Sequence, residues 1–184
     1  MACDISKGRL EPCKDLVGGL DAVYFINYDE LPATAITVSA DDEITAVSGN
    51  PRAYKYELKG TSSLEQTITS SRENGTTFFD QVLSLMLKKQ DLSTHKEVKL
   101  LAYGRPKVIV KDNNNNFWLV GYEHGADVNG GSIVTGAAFG DMSGYNLTFQ
   151  AQEKTPAYFI DAVSEAQLVS VGFDIVDGNG TITS

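Results

Sequence analysis

ADVNGGSIVTGAAFGDMSGYNLTF, residues 126 to 149, threads five glycines through residues that strands favour, and Gly125 stands just before it. Val128, Ile133, Val134, Phe139, Tyr145, Leu147 and Phe149 suit a pleated, half-buried surface. Each glycine among them costs backbone entropy and returns no side chain to pack. That cost is tolerable where something else orders the segment, such as a neighbouring subunit. Gly130, Gly131, Gly136, Gly140 and Gly144 are therefore candidate inter-subunit positions. The end of the stretch alternates, with Tyr145, Leu147 and Phe149 expected to face inward and Asn146, Thr148 and Gln150 outward.

Working outward, the same reading finds strands along most of the chain. Residues 22–28 (AVYFINY) are aromatic and β-branched enough for a buried strand, and 35–38 and 44–47 follow across the turn-forming Asp41-Asp42. Residues 53–59 alternate, with Tyr54, Tyr56 and Leu58 on one face and Lys55, Glu57 and Lys59 on the other. Residues 62–71 alternate more weakly, placing Glu65, Thr67 and Thr69 on the wet side. After Asn74-Gly75, the stripe Phe78, Phe79, Val82, Leu83, Leu85 and Met86 predicts a helix over about 77–90. Thr77 and Asp80 resemble a capping box there, with Lys88 and Lys89 at the end the dipole favours. Residues 98–102 and 107–111 read as strands, the latter joined to Phe117-Trp118-Leu119-Val120 by the hairpin turn Asp112–Asn116. Residues 166–176 are a further strand-pair candidate, and Asp177-Gly178-Asn179-Gly180 turns into a last short strand. The expected class is mainly β (α+β), a β-sandwich or open barrel with one packed α-helix.

A chain of 184 residues with 42% hydrophobic and 21% charged residues has globular composition and room for one sizeable core. The net charge of −9 argues against a surface that grips nucleic acid by counterion release, and suits one that nucleic acid slides past. No stretch approaches the ~20 apolar residues of a membrane helix. The opening MACDISKGRLEPCKD carries charges and a proline where a signal peptide needs an apolar run, so a cytoplasmic origin is expected. Cys3 and Cys13 are read as free thiols, since zinc normally takes four ligands and His95 and His124 lie far off in sequence.

Sequence motifs for chemistry are lacking. Gly131-Ser132-Ile133-Val134-Thr135-Gly136 has phosphate-loop glycine spacing, but Ala137 and Ala138 stand where Lys and Ser or Thr are needed. His124, beside Glu123 and near Asp127, reads as a solvated or interfacial histidine within a turn. Asp177 and Asn179 open like a calcium loop whose closing Glu is missing before Ser184. Asn74, Asn146 and Asn179 begin Asn-x-Thr triplets, acceptors only in a secreted eukaryotic protein. The chain is expected to be no enzyme, with no cofactor and no metal.

The order of elements over Tyr54 to Ile160 resembles the tail-tube proteins of tailed bacteriophages. Residues 56–60 (YELKG), 70–79 (SSRENGTTFF) and 136–145 (GAAFGDMSGY) are similar to virion proteins of phages that infect gut Bacteroidetes, including the crAss-like group. The resemblance implies a tail-tube-like core at 53–160, an N-terminal arm and first strands at 1–52, and a C-terminal strand extension at 161–184. It also implies a homo-oligomeric ring, expected to be hexameric, in a tail assembled in the host cytoplasm. Such a ring, as tube or hub, meets other tail or neck proteins, passes double-stranded DNA without reading its sequence, and touches no membrane. On this reading Lys55, Glu57, Lys59, Glu65, Thr67, Thr69, Asn146, Thr148 and Gln150 face the lumen. The alternative is a β-sandwich capsid decoration or receptor-binding module that makes contact through 112–116 and the glycine loop.

Overall fold

Central strand β1 (Leu20–Ile26) is buried almost throughout, as its aromatic and β-branched run requires. It lies between β4 (Arg52–Glu57) and β7 (Lys107–Asp112), antiparallel to both. The computed structural model describes residues 7–11 and 13–184. The remaining elements are β2 (Ile36–Val38), β3 (Glu43–Val47), β5 (Ser63–Ser71), β6 (Thr76–Lys88), α1 (Leu92–Tyr103), β8 (Phe117–Val120), β9 (Asp127–Val134), β10 (Gly144–Glu153), β11 (Tyr158–Ile160), α2 (Glu165–Val171), β12 (Asp174–Val176) and β13 (Ile182–Thr183). They form a nine-stranded sheet, β13-β12-β4-β1-β7-β8-β11-β3-β2, and a four-stranded sheet, β5-β6-β10-β9. The fold is mainly β with few helices, as expected. Strands from all three sequence segments enter the large sheet: β12 pairs parallel with β4, and β11 parallel with β3.

Two cores follow from the alternation of β1. Val23 and Phe25 face the small sheet and meet Leu83, Leu85 and Leu87 of β6 and Tyr145, Leu147 and Phe149 of β10. The Phe25 and Phe149 rings lie 5.3 Å apart in this sandwich interior, and Val98 of α1 closes one side of it. Ala22, Tyr24 and Ile26 face the other way, into a core shared with β3, β8, β12 and the buried Leu168 and Val171 of α2. Because strands from both halves of the large sheet feed this second core, the sheet curls around it and α2 fills the opening.

Three local expectations are corrected. Residues 77–90 are not a helix but the thirteen-residue strand β6. Their stripe also fits period two: Gln81, Leu83, Leu85 and Leu87 are buried while Val82, Ser84 and Met86 are half-exposed. Pairing with β5 on one side and β10 on the other decides between the two periods. Thr77 is no cap, since its hydroxyl shares a 2.9 Å hydrogen bond with Ser70 across the strands. Residues 98–102 are not a strand but the later part of α1, whose start is fixed by Asp91 accepting from the Thr94 N–H at 2.7 Å. In 166–176, the first part is α2, capped by Ser164 and ended by Gly172 at φ 121°, and only β12 is strand. The single packed helix is thus replaced by two, neither of them at 77–90. The hairpin at 112–116 forms as expected, with Asp112 Oδ1 accepting from the Asn114 and Asn116 N–H groups at 2.8 Å.

Candidate functional site

Along the small sheet, the registers fix which residues share a face. Asn146 pairs with Met86, Thr148 with Ser84 and Gln150 with Val82, while Ser63, Glu65, Thr67 and Thr69 pair with Ser84, Val82, Asp80 and Phe78. Paired residues share a face, so Glu65, Thr67, Thr69, Asn146, Thr148 and Gln150 all stand on the side opposite the buried Leu83, Leu85, Tyr145 and Phe149. Six of the nine expected lumen positions are thereby brought onto one outward face. Ser132 and Asp127 extend it across β9, opposite Asn146 and Gln150.

Cross-strand polar contacts run over this face. Gln150 Nε2 donates to Asp80 Oδ1 at 2.8 Å, and Asn129 Nδ2 donates to Gln150 Oε1 at 2.6 Å. Asn146 Nδ2 reaches Ser132 Oγ at 3.4 Å. Charged side chains at outward positions of these strands are the acids Glu65, Asp80 and Asp127 and the single amine Lys88. Phe78, Val82 and Met86 of β6 share the face, half-exposed, so it is polar with an apolar stripe along β6, weakly acidic and short of the clustered cations a nucleic-acid grip requires.

Lys55, Glu57 and Lys59 do not join it, which corrects their expected grouping with the others. Lys55 and Glu57 belong to the large sheet, on the side that α2 covers: Lys55 Nζ lies 2.6 Å from Glu165 Oε1 and 3.5 Å from Glu57 Oε1. Tyr24 Oη donates to the same Glu165 oxygen at 2.8 Å. Burial pushes the Tyr24 hydroxyl up, and its bond to Glu165 adds to this. Against the desolvation that opposes it, hydrogen bonds from Lys55 and Tyr24 hold the Glu165 carboxyl below its ordinary range. Lys55 is thus a structural cation. Lys59 lies exposed in the turn after β4.

The candidate inter-subunit glycines divide in two. A Cβ at Gly131 would stand 2.6 Å from Asn146 O, one at Gly144 2.1 Å from Leu87 O, and one at Gly136, at φ 75°, 2.8 Å from Asp141 Cβ. These three are demanded by the chain's own backbone. Gly130 and Gly140 have open space around them and remain free for contact.

His124 is exposed on the β8–β9 turn, its Nδ1 3.1 Å from Glu153 Oε2. Glu153 is 1% exposed at its side chain and also accepts the Glu123 and His124 N–H groups through Oε1 at 2.9 and 2.7 Å. Glu123, His124 and Glu153 have ligand atoms within 4.8 Å of one another, close enough to hold a cation. Each already has a partner in the chain, Glu123 meeting Lys154 at 3.4 Å. The trio therefore reads as a clamp that fastens the turn, beside the buried Lys107, whose amine bonds Tyr122 O and whose pKa burial lowers. Cys13 is exposed and free, whereas Cys3 lies outside the described residues. Asp177 Oδ1 accepts from the Asn179 and Thr181 N–H groups at 2.9 and 2.8 Å, closing the β12–β13 turn.

The edges of the two sheets differ. The large sheet ends in strands of three and two residues, β2 and β13, whereas the small sheet ends in β5 of nine residues and β9 of eight. Sequence reading identified the polar residues but not this asymmetry, because edge status depends on pairing across the whole chain. No protein-family model matches the chain, no curated protein matches it, and no solved structure matches it. No helix among the described residues is long and apolar enough to cross a membrane.

Proposed function

We propose that this chain is a structural protein of a tailed-phage virion, a tail-tube or tail-hub subunit that closes with copies of itself into a ring around the DNA path. The outward face of β5-β6-β10-β9 lines the lumen. The observation that carries the reading is that this weakly acidic, polar face belongs to the one sheet with two long unpaired edges. β9 of one copy beside β5 of the next would continue the sheet from subunit to subunit, and such a contact between unlike surfaces closes a ring when its rotation permits. A wall of Thr, Ser, Asn and Gln, with Phe78, Val82 and Met86 along β6 and few cations, lets a polyanion pass without holding it by counterion release. The role is architectural, and no catalytic step is assigned.

Electron microscopy of the purified full chain tests this directly: rings with a central hole are expected. A particle population of monomers at assembly concentrations would refute it. The decoration or receptor-binding alternative rests on the loop between β9 and β10, where Phe139 is fully exposed. It gives no reason for the long edges. Part of its other contact surface is already used, since Asn113 and Asn114 Nδ2 bond the Gly18 and Val17 carbonyls at 2.8 Å.

A further inference from the structure

Ahead of β1 the described residues 7–11 and 13–18 have no strand or helix and are exposed, with Leu10 at 92% and Leu16 at 70%. Among the described residues the arm is held at its root, Val17 and Gly18 on the β7–β8 turn, and by an exposed ion pair of Lys7 with Asp41. Toward its start the arm reads KGRL, two cations and a leucine in residues 7–10. Among the described residues nothing covers this apolar side chain on its basic segment.

At the opposite end of β1 lies a groove of about 630 Å³ between α1 and the β1 and β4 strands. Phe25, Tyr54, Tyr56 and Leu100 give it an apolar floor, and Asp29 and Glu97 are its carboxylates. Arg105, also on its wall, is engaged with the Tyr28 ring, 4.5 Å from the centroid. The Tyr56 hydroxyl on the groove floor is pushed up to about 12, first by burial and then by the charges of Glu97 and Asp91. Leu100 is 53% exposed there, an apolar residue on a helix with nothing packed over it.

We infer that residues 7–16 of one copy dock in the α1 groove of a second copy, Leu10 on the aromatic floor and Lys7 and Arg9 toward Glu97 and Asp29. Apolar matches apolar, and Lys7 and Arg9 meet the two acids; with Lys14 against Glu11 and Asp15, the segment 7–16 keeps a net charge of +1. The described residues of the chain's own arm, 7–11 and 13–18, do not line its groove. They run to the β2–β3 turn, where Lys7 Nζ lies 3.4 Å from Asp41 Oδ1. Ten residues separate Lys7 from Val17, a reach of at most ~33–36 Å, enough to span to a neighbour. Arm and groove are different surfaces, so the contact propagates from copy to copy. It goes beyond the ring reading and stands apart from it, since the edges β5 and β9 take no part.

A fluorescein-labelled peptide of residues 7–16, titrated into full-length chain carrying Leu10→Asp in its own arm, tests the inference by anisotropy. Saturable binding is expected, weakening as salt rises because two of its contacts are ionic. A second full-length chain carrying Leu10→Asp and Leu100→Asp should bind the peptide at least tenfold more weakly; position 100 is half-exposed on α1, and circular dichroism of this chain checks that the fold is kept. Absence of saturable binding to the first chain, or equal binding to both, overturns the inference. Rings seen by microscopy for the Leu10→Asp chain would leave the proposed function standing whichever way the titration falls.

Discussion

Leu83 and Val82 are neighbours in sequence and opposites in the fold, and that opposition decides whether the lumen assignment holds. Leu83 is fully buried in the sandwich core, while Val82 is half-exposed on the outward face beside Gln150 and Glu65. Truncating Leu83 to Ala removes a side chain worth ~1.5–3 kcal/mol of transfer energy and leaves a cavity, so the loss should be about 3–4 kcal/mol within the usual 2–5. Val82→Thr keeps the β-branched shape and sits on a polar surface, so its cost should stay below about 1 kcal/mol. For a chain of this size each kcal/mol moves Tm by ~2–4 °C, which separates the two variants by roughly 6–12 °C. Urea unfolding followed by far-UV circular dichroism, with m unchanged between variants, gives the comparison. Equal costs would put both residues on one stripe, as on a helix, and refute the strand. A larger cost at Val82 would mean a register shifted by one, which sends Thr148, Gln150 and Glu65 into the core.

Three further outcomes are expected. Glu65→Lys with Thr67→Lys and Thr148→Lys adds cations to the outward face; rings should still form, but DNA should be retained in them at low salt and released as salt rises, checked by filter binding across ionic strength. Gly144→Ala would put its Cβ 2.1 Å from Leu87 O and should break the β6–β10 ladder, seen as low soluble yield and a lowered Tm, whereas Gly130→Ala, with open space around it, should leave the isolated subunit's Tm within about 2 °C. Glu165 has a lowered folded pKa, so its stabilisation is present above the ordinary glutamate range and is lost as pH falls through the folded value. Lys55, raised mainly by its hydrogen bond to Glu165, loses its share only as pH rises past the ordinary lysine range. Glu165→Gln should therefore lower Tm at neutral pH and flatten its fall in acid, measured by thermal unfolding from neutral pH to pH 3.

Alternation was legible wherever one face of a strand is wet. Tyr145, Leu147 and Phe149 are buried and Asn146, Thr148 and Gln150 are not, as their spacing requires. Residues 77–90 misled because Phe78, Phe79, Val82, Leu83 and Met86 satisfy a helical stripe as well as a strand with an apolar fringe on its open side. Only the two flanking strands, the β10 one 56 or more residues away in sequence, resolve the ambiguity. Helix α1 carried a signal in Asp91 three residues ahead of Thr94, but the run Val98 to Ala102 looks like strand when its cap is overlooked. Lys55 and Glu57 could not have been placed from sequence. Their alternation is real, but whether the charged face of β4 meets water or a helix is set by α2, more than a hundred residues further on.

Long free edges are where the fold and the proposed assembly meet. A nine-residue edge presents a row of unpaired backbone groups to any passing strand, and proteins that stay monomeric blunt such edges with lysines, prolines, bulges or brevity. The large sheet uses brevity at both ends. β5 has no lysine or proline in its nine residues, and β9 has neither in its eight, though a register shift near Gly130 interrupts its ladder with β10. Left unpaired, these edges would invite open-ended stacking of the same head-to-tail contact. Closure into a ring satisfies both at once and leaves no edge to extend, while the polar face that accompanies them turns inward. The same two strands that make an isolated subunit hazardous are thus the ones that, in the proposed ring, would make the wall of a channel, whose Glu65, Asp80 and Asp127 against the one amine Lys88 would keep it from holding a polyanion.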